Sequence, residues 1–157
     1  MLKFHNFDIV FAEFPGETTL AVNLTGCPNR CPGCHSPHLQ GDGGTPLDGE
    51  ALRRLLDRYG SAVTCVGLMG GDAAPAEVAA LAARIRQLQP GLRIGWYSGR
   101  SELPEGIDIR LFDYLKLGPW IAERGPLSSP ATNQRLYRIG ADGSREDITH
   151  RFLRKVH

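Results

Sequence analysis

The sequence lacks the features that mark membrane proteins and nucleic-acid-binding proteins. No apolar run among the 157 residues approaches the roughly 18 residues that a membrane-spanning helix needs, and the first residues do not resemble a signal peptide. Lysines and arginines number 18 against 17 aspartates and glutamates, and no run of basic residues stands out. We therefore expect a cytoplasmic protein that binds neither a membrane nor a nucleic acid.

Cysteine is scarce too, with four residues in the whole chain. Thiols stay reduced inside the cell, so four cysteines without an export signal argue against a disulfide framework and for metal or redox chemistry. The sequence contains no internal repeat and no linker-like segment, and its length is ordinary for one domain. We expect a single domain over residues 1–157.

Three of the four cysteines lie close together in one segment. Cys27 and Cys31 are separated by three residues, and Cys31 and Cys34 by two. Prolines follow the first two cysteines and Gly33 precedes the third, so the segment cannot continue as a regular helix or strand. A loop of this kind directs its thiols towards one point. Three thiolates around one point suit a metal centre better than a disulfide, which uses two.

The spacing leaves four kinds of site open. Structural zinc needs four ligands, and His35 or His38 would complete the three thiols. A thiol–disulfide pair would use Cys31 and Cys34 alone. The other two are 4Fe–4S clusters, one with four cysteine ligands for electron transfer and one with three cysteines and an open iron. Cys65 is a candidate fourth ligand, but its place in an apolar run is more typical of a buried structural thiol.

Alternating β-rich and helical segments predict an α/β fold. Pro75 begins one predicted helix, which ends before Pro90, and Thr45 is the predicted N-cap of an earlier helix that ends at Gly60. The predicted strands span residues 8–14, 18–24, 62–69, 92–97 and 111–117. A long loop over residues 125–134 then precedes a hairpin whose turn is Asp142-Gly143.

Short connections between these segments indicate βα units and a parallel sheet. A complete eight-fold barrel needs roughly 200 residues or more. We therefore expect a small partial, open βα barrel with a mostly parallel sheet and a C-terminal β-hairpin extension. Loops at the carboxyl ends of parallel strands meet at one edge of the sheet. In this chain those loops are Gly26-Cys27, Gly70-Gly71-Asp72, Ser98-Gly99 and Gly118.

The cysteine spacing, with a Gly-Gly-acid turn after a later strand, resembles the radical S-adenosylmethionine (SAM) superfamily. More narrowly, the chain resembles the activating proteins of anaerobic (class III) ribonucleoside-triphosphate reductase. The likeness extends from about residue 8 to residue 139. The segments that carry it are Cys27 to Cys34, Gly70-Gly71-Asp72, and residues 97–99, 113–119 and 133–135.

The resemblance implies which residues would form the site. Cys27, Cys31 and Cys34 would each bind one iron of a 4Fe–4S cluster as its catalytic ligands, and the fourth iron would chelate SAM. The further residues implied to contact SAM are Gly33, His35, Gly70, Gly71, Asp72, Ser98 and Lys116. Two roles stay open for Asp72, an interaction with the SAM ammonium group or capping of the helix that begins at Pro75.

The resemblance also implies a reaction and its partners. One electron, delivered by a small reductant protein such as a flavodoxin, would split SAM into methionine and a 5′-deoxyadenosyl radical. That radical would remove a hydrogen atom from a glycine of the partner reductase and leave a glycyl radical there. Residues 133–135 would serve partner docking or local folding. An activase for another glycyl-radical enzyme and a non-catalytic zinc or iron–sulfur binding module are the alternatives.

Overall fold

The computed structural model describes residues 2–25 and 44–152. Its helices are α1 (Gly49–Tyr59) and α2 (Pro75–Leu88). Its strands are β1 (Lys3–Val10), β2 (Thr19–Leu24), β3 (Thr45–Pro46), β4 (Cys65–Met69), β5 (Arg93–Tyr97), β6 (Tyr114–Leu117), β7 (Arg135–Ile139) and β8 (Arg145–Asp147). These strands form one sheet in the order β3-β1-β2-β4-β5-β6-β7-β8. No helix in the described part of the chain is long and apolar enough to cross a membrane.

The centre of the sheet is parallel and its flanks are antiparallel. β2, β4, β5 and β6 pair in parallel, whereas β3 with β1, β1 with β2, β6 with β7 and β7 with β8 pair antiparallel. For the described strands the sheet is therefore mixed, with three parallel and four antiparallel pairings, and not mostly parallel as predicted. Consecutive strands that no helix separates, as in β1 with β2, β6 with β7 and β7 with β8, pair antiparallel. The β7–β8 hairpin has the predicted turn at Asp142-Gly143. Curvature into an open barrel stays a prediction.

One predicted helix start is confirmed and the other is wrong. Helix α2 begins at its predicted proline. Helix α1 begins at Gly49, because the Asp48 carboxylate caps it by accepting a hydrogen bond from the Ala51 N–H at 2.8 Å. Thr45 and Pro46 instead form strand β3 at the edge of the sheet, where a proline is tolerated.

The two faces of the sheet bury different side chains. Both helices cover the first face, where Val66, Ile94 and Leu115 of the central strands join the helices' apolar residues in the larger core. Successive residues of a strand point to opposite faces, so the same strands also supply a smaller core on the second face. That smaller core consists of Phe14, Cys65, Tyr114, Leu136 and Ile148.

Phe14 anchors the connection between β1 and β2 on the second face. β1 ends at Val10, not at residue 14 as predicted, and the four residues that follow bring the Phe14 ring into the core. The ring lies against Gly67 and Gly95, which pair across β4 and β5. A Cβ at Gly95 would lie 2.2 Å from the ring. The missing side chains therefore make the space that the phenyl ring fills.

Glu17 fixes the other end of the same connection. Its buried carboxylate accepts hydrogen bonds from the hydroxyl groups of Tyr114 and Thr64, each at 2.7 Å. Burial, together with this carboxylate, raises the pKa of Tyr114 to about 12, so the phenol stays protonated and keeps donating. Because a buried carboxylate needs such donors, these contacts hold the connection against the strands.

Gly95→Ala tests the fit between Phe14 and the glycines beneath it. We expect the free energy of unfolding in urea to fall by about 1–3 kcal/mol, because the new methyl group overlaps the ring and forces it to move. Gly91→Ala is the control, since a Cβ at Gly91 meets nothing within 4 Å. Equal effects of the two substitutions would contradict this account of the second face.

Candidate functional site

The turns that follow the central strands are joined by hydrogen bonds at one edge of the sheet. The Gly70 N–H donates to the Tyr97 carbonyl at 2.9 Å, which links the end of β4 to the end of β5. The Ser98 N–H donates to the Lys116 carbonyl at 2.9 Å, which links the turn after β5 to β6. The Gly118 N–H, in the turn after β6, donates to the Arg100 carbonyl in the turn after β5 at 2.8 Å. The predicted convergence of loops is thus confirmed for the three described turns. We call them the strand-end edge; Gly26-Cys27 lies outside the described residues.

Gly70 and Gly71 form a turn that requires glycine at both positions. Their φ angles are +100° and +87°, in the left-handed region that side chains disfavour. A Cβ at Gly71 would lie 2.6 Å from a methyl group of Val78 in α2. The Gly70 carbonyl accepts a hydrogen bond from the Trp96 indole N–H at 2.7 Å. The turn is therefore fixed by the fold, and its contact with SAM stays a prediction.

Asp72 joins the turn after β4 to the turn after β5. The residue is 2% exposed, and its carboxylate accepts hydrogen bonds from the Ser98 hydroxyl at 2.6 Å and from the Gly99 N–H at 2.8 Å. Its main-chain carbonyl accepts from the Arg100 guanidinium at 3.3 Å. Asp72 does not cap α2, whose N-cap is Ala74 with no side-chain hydrogen bond. The capping role is therefore wrong, because the carboxylate points across the sheet edge.

Lys116 places a buried positive charge at the same edge. Its ammonium donates hydrogen bonds to the carbonyls of Ser98 at 3.2 Å and Gly118 at 2.9 Å. The nitrogen also lies 5.5 Å from the centre of the Tyr97 ring, a cation–π distance. Carbonyl dipoles and the ring face offset part of the cost of burying the charge. Lys116 and Ser98, both predicted site residues, are therefore in direct contact.

A pocket of about 390 Å³ lies on the second face next to the strand-end edge. Tyr97 and Lys116 line it from the sheet, and Trp120 and Phe152 add aromatic walls. The Tyr97 hydroxyl donates to the Glu13 carbonyl, and burial raises the Tyr97 pKa well above its usual value. The phenol therefore stays neutral and closes the pocket against the β1–β2 connection.

Cys65 lies at the end of β4 that is opposite the strand-end edge. It begins β4 and pairs with Thr19 at the start of β2, whereas the cysteine segment follows the end of β2. Five strand residues span about 13 Å, so Cys65 and the strand-end edge lie at opposite ends of β4. Burial raises the Cys65 pKa to about 12, so the thiol is protonated in its apolar setting. The prediction that Cys65 is buried in its strand is confirmed, and that it is not a cluster ligand stays a prediction.

The predicted site residues Cys27, Cys31, Gly33, Cys34 and His35 lie outside the described residues. The segment that holds them begins after Thr25, a buried residue whose N–H donates to the Lys3 carbonyl at 2.9 Å. That point adjoins the Gly70 turn, where a Cβ would lie 3.5 Å from the Leu24 carbonyl. In residues 2–25 and 44–152, no three His, Cys, Asp or Glu side chains could together hold a metal. Three thiols that follow this point are a donor set that suits an iron–sulfur cluster.

Trp96 and Arg100 contribute to the edge although the sequence did not reveal them. Both donate to main-chain carbonyls, Trp96 to that of Gly70 and Arg100 to that of Asp72. A carbonyl is present in every residue, so such a bond leaves no pattern in the residue types. The one usable signal was a tryptophan in an apolar strand, because a buried indole N–H usually finds a partner.

Asp72→Asn tests the bridge between the two turns. An amide offers one accepting oxygen in place of two and carries no charge, so the two charge-assisted hydrogen bonds are lost and an NH2 group with two donors enters a buried site. We expect the free energy of unfolding in urea to fall by about 1–3 kcal/mol. Asp57→Asn is the matched control, because that side chain is 75% exposed and lies 3.9 Å from Arg53. Equal losses of unfolding free energy in Asp72→Asn and Asp57→Asn would contradict a stabilising role for the bridge.

Cys65→Ala tests whether the fourth cysteine takes part in cluster binding. We expect anaerobic reconstitution to load this variant with as much iron as the wild-type chain, because Cys65 is protonated and distant from the edge. Cys31→Ala, treated in the same way, should lose iron. A loss of iron from Cys65→Ala comparable to that from Cys31→Ala would show that Cys65 is a ligand.

Comparison with known proteins supports an iron–sulfur cluster in this chain. The family model described as "4Fe-4S single cluster domain" matches residues 15–103. The match covers more than half of the chain and includes all four cysteines, the Gly70-Gly71-Asp72 turn and Ser98. No curated protein and no solved structure matches the chain. The chain is therefore an iron–sulfur protein that belongs to the 4Fe-4S single cluster domain family.

Proposed function

We propose that the protein is a radical SAM activating enzyme that generates a glycyl radical on anaerobic ribonucleoside-triphosphate reductase. The observation that carries the proposal is the strand-end edge. Hydrogen bonds join its three turns, and one of them, Gly70-Gly71-Asp72, adjoins Leu24 just before the three-cysteine segment. An electron-transfer module needs the cysteines alone, whereas a SAM-cleaving enzyme also needs a binding surface beside them.

Cys27, Cys31 and Cys34 would hold the cluster, because thiolates are the ligands that iron–sulfur clusters take. When bound, the cluster supplies one electron, which splits SAM into methionine and a 5′-deoxyadenosyl radical. A small reductant protein such as a flavodoxin would deliver that electron. The contacts that Gly33 and His35 would make with SAM stay predictions, since both residues lie outside the described part of the chain.

The described residues would bind and orient SAM at the strand-end edge. Gly70 and Gly71 carry no side chains, so their main chain lets the methionine end of SAM approach closely. The Lys116 ammonium favours the SAM carboxylate, and the Asp72 carboxylate favours the SAM ammonium. Both charges are held in place by hydrogen bonds to neighbouring turns, which removes the need to order them when SAM binds.

Ser98 would act through the turn that it supports. Its hydroxyl donates to Asp72 at 2.6 Å and accepts from the Arg100 N–H at 3.1 Å. With both bonds made inside the protein, the hydroxyl supports the carboxylate and the main chain of the β5 turn. We therefore propose that Ser98 positions Asp72 and does not itself contact SAM.

We also propose that the sheet curves into an open partial barrel with the second face inside. The target glycine belongs to another protein and has to reach SAM from outside. An incomplete barrel leaves a side through which a loop of the partner can enter. The pocket beside Tyr97 and Lys116 opens on this face, next to the proposed SAM site.

The decisive experiment measures SAM cleavage by anaerobically reconstituted protein. Addition of SAM and dithionite should release 5′-deoxyadenosine, and further addition of the reductase should produce a glycyl radical detectable by electron paramagnetic resonance (EPR). Cys34→Ala, reconstituted in parallel, is the control and should release none, because its cluster lacks a ligand.

The outcomes separate the proposal from its alternatives. Iron-loaded wild-type protein that releases no 5′-deoxyadenosine would contradict the proposal and indicate a non-catalytic iron–sulfur module. Protein that retains zinc and no iron would indicate a zinc-binding module. Release of 5′-deoxyadenosine without a radical on this reductase would indicate an activase for another glycyl-radical enzyme.

A further inference from the structure

We propose that the segment between β6 and β7 is a lid, which moves about its two ends and closes on the pocket when SAM binds at the strand-end edge. We call this segment, residues 119–132, the strap. The inference rests on the proposed function for its trigger, because SAM is the ligand that would hold the lid closed. It gives a role to a long loop that the proposed reaction leaves unused.

The two ends of the strap lie side by side, as in the compact surface segments known as Ω-loops. The Asn133 carboxamide donates a hydrogen bond to the Pro119 carbonyl at 3.0 Å. Beside this bond, a Cβ at Gly118 would lie 3.3 Å from the Asn133 carbonyl oxygen. Gly118 has a φ of +115°, and glycine can change its torsion angles more freely than other residues. A glycine at the end of a strand, next to a single closing bond, is suited to act as a hinge.

Hydrogen bonds inside the strap let it move as one body. The Gly125 N–H donates to the Ile121 carbonyl at 3.1 Å. The Arg124 guanidinium donates to the Ala131 carbonyl at 3.3 Å and so joins the first half of the strap to the second. Neither bond involves the sheet. The strap can therefore turn about its ends while both bonds stay intact.

Open space lies on two sides of the strap. On one side is the pocket of about 390 Å³, which the strap lines with Trp120 and Leu127. On the other side, a cleft of about 100 Å³ separates the strap from Thr149 and His150. Leu127 lines both spaces although it is only 8% exposed. Because protein interiors are normally close-packed, a buried side chain with space on two sides is held weakly and can shift towards either.

The bond that closes the strap leaves a polar atom unsatisfied. Asn133 Oδ1 is buried and, among residues 2–25 and 44–152, has no hydrogen-bond partner. Burying an acceptor in this way is unfavourable, and water would reach the oxygen when the two ends separate. That gain offsets part of the loss of the bond to Pro119. The open and closed strap are thus close in free energy, and a ligand that contacts the closed strap alone can select it.

SAM would make such contacts. Lys116 lines the pocket from the sheet beside the proposed SAM site, and Trp120 and Leu127 line it from the strap. A closing strap would bring these two apolar side chains against the ligand and bury surface there. It would also exclude water and so protect a reactive radical from side reactions. The movement narrows the pocket from one side, so a partner loop can still enter by the open face.

Limited digestion with trypsin tests the lid. Arg124 is an exposed cleavage site within the strap, and Arg110, exposed in the turn before β6, is the reference site. The sample is anaerobically reconstituted protein without dithionite, so that SAM binds and is not cleaved. Saturating SAM should slow cleavage after Arg124 by about fivefold, because trypsin cuts the open strap, and should leave cleavage after Arg110 unchanged. Mass spectrometry of the fragments measures both rates.

Asn133→Asp tests the hinge bond in the absence of SAM. The substitution keeps the shape of the side chain but replaces its donor with a carboxylate oxygen, which the Pro119 carbonyl repels. The strap should open, and cleavage after Arg124 should accelerate about tenfold. Asn23→Asp is the matched control, because it removes a side-chain donor that bonds Asn6 at 2.8 Å outside the strap. It should leave the rate at Arg124 unchanged.

The outcomes separate the lid from the proposed function. SAM that is bound and cleaved by the wild-type protein, with no change in the rate at Arg124, would overturn the lid alone. Equal rates at Arg124 in wild-type and Asn133→Asp protein would overturn the hinge. Wild-type protein that neither binds nor cleaves SAM would overturn the proposed function and the lid with it. If Asn133→Asp does not fold, digestion of the wild-type protein with and without SAM still decides.

Discussion

A buried carboxylate holds the turns of the strand-end edge together. Asp72 accepts from the Ser98 hydroxyl and the Gly99 main chain, so the turn after β4 cannot move independently of the turn after β5. Lys116 extends the link to the turn after β6 through two carbonyls. Hydrogen bonds thus link three turns that are distant in sequence around one buried negative charge and one buried positive charge. Charges held in this way would favour the binding of SAM as proposed, because little ordering would remain to oppose it.

On the second face of the sheet, the β1–β2 connection packs against the strands that lead to the strand-end edge. The glycines of β4 and β5 let Phe14 lie close to the strands, and Glu17 ties the same connection to Tyr114. The β1–β2 connection thereby lies against the central strands and forms one wall of the pocket. Gly67 and Gly95 serve packing, in contrast to Gly70 and Gly71, which serve the backbone conformation of a turn. The two pairs show how the same residue type meets two physical demands.

The sequence predicted the features that depend on local pattern and missed those that depend on contacts between distant residues. The convergence of the turns at one edge could be predicted because the strands before them were expected to be parallel. The burial of Cys65 could be predicted because it lies in an apolar run. The start of α1 was wrong because Asp48 caps it in place of Thr45. The role of Asp72 was also hidden, since its partners lie 26 and 27 residues away. No local pattern encodes such a distance, and a carbonyl partner leaves no mark on residue type at all.

We propose that three cysteines hold a 4Fe–4S cluster whose open iron binds SAM beside the strand-end edge. The most direct test is the EPR spectrum of the dithionite-reduced, reconstituted protein, recorded with and without SAM. The account predicts that SAM changes the signal of the reduced cluster, because it becomes a ligand to iron. Identical spectra at a SAM concentration that saturates known enzymes of this class would contradict it, since they would show a cluster without an open position.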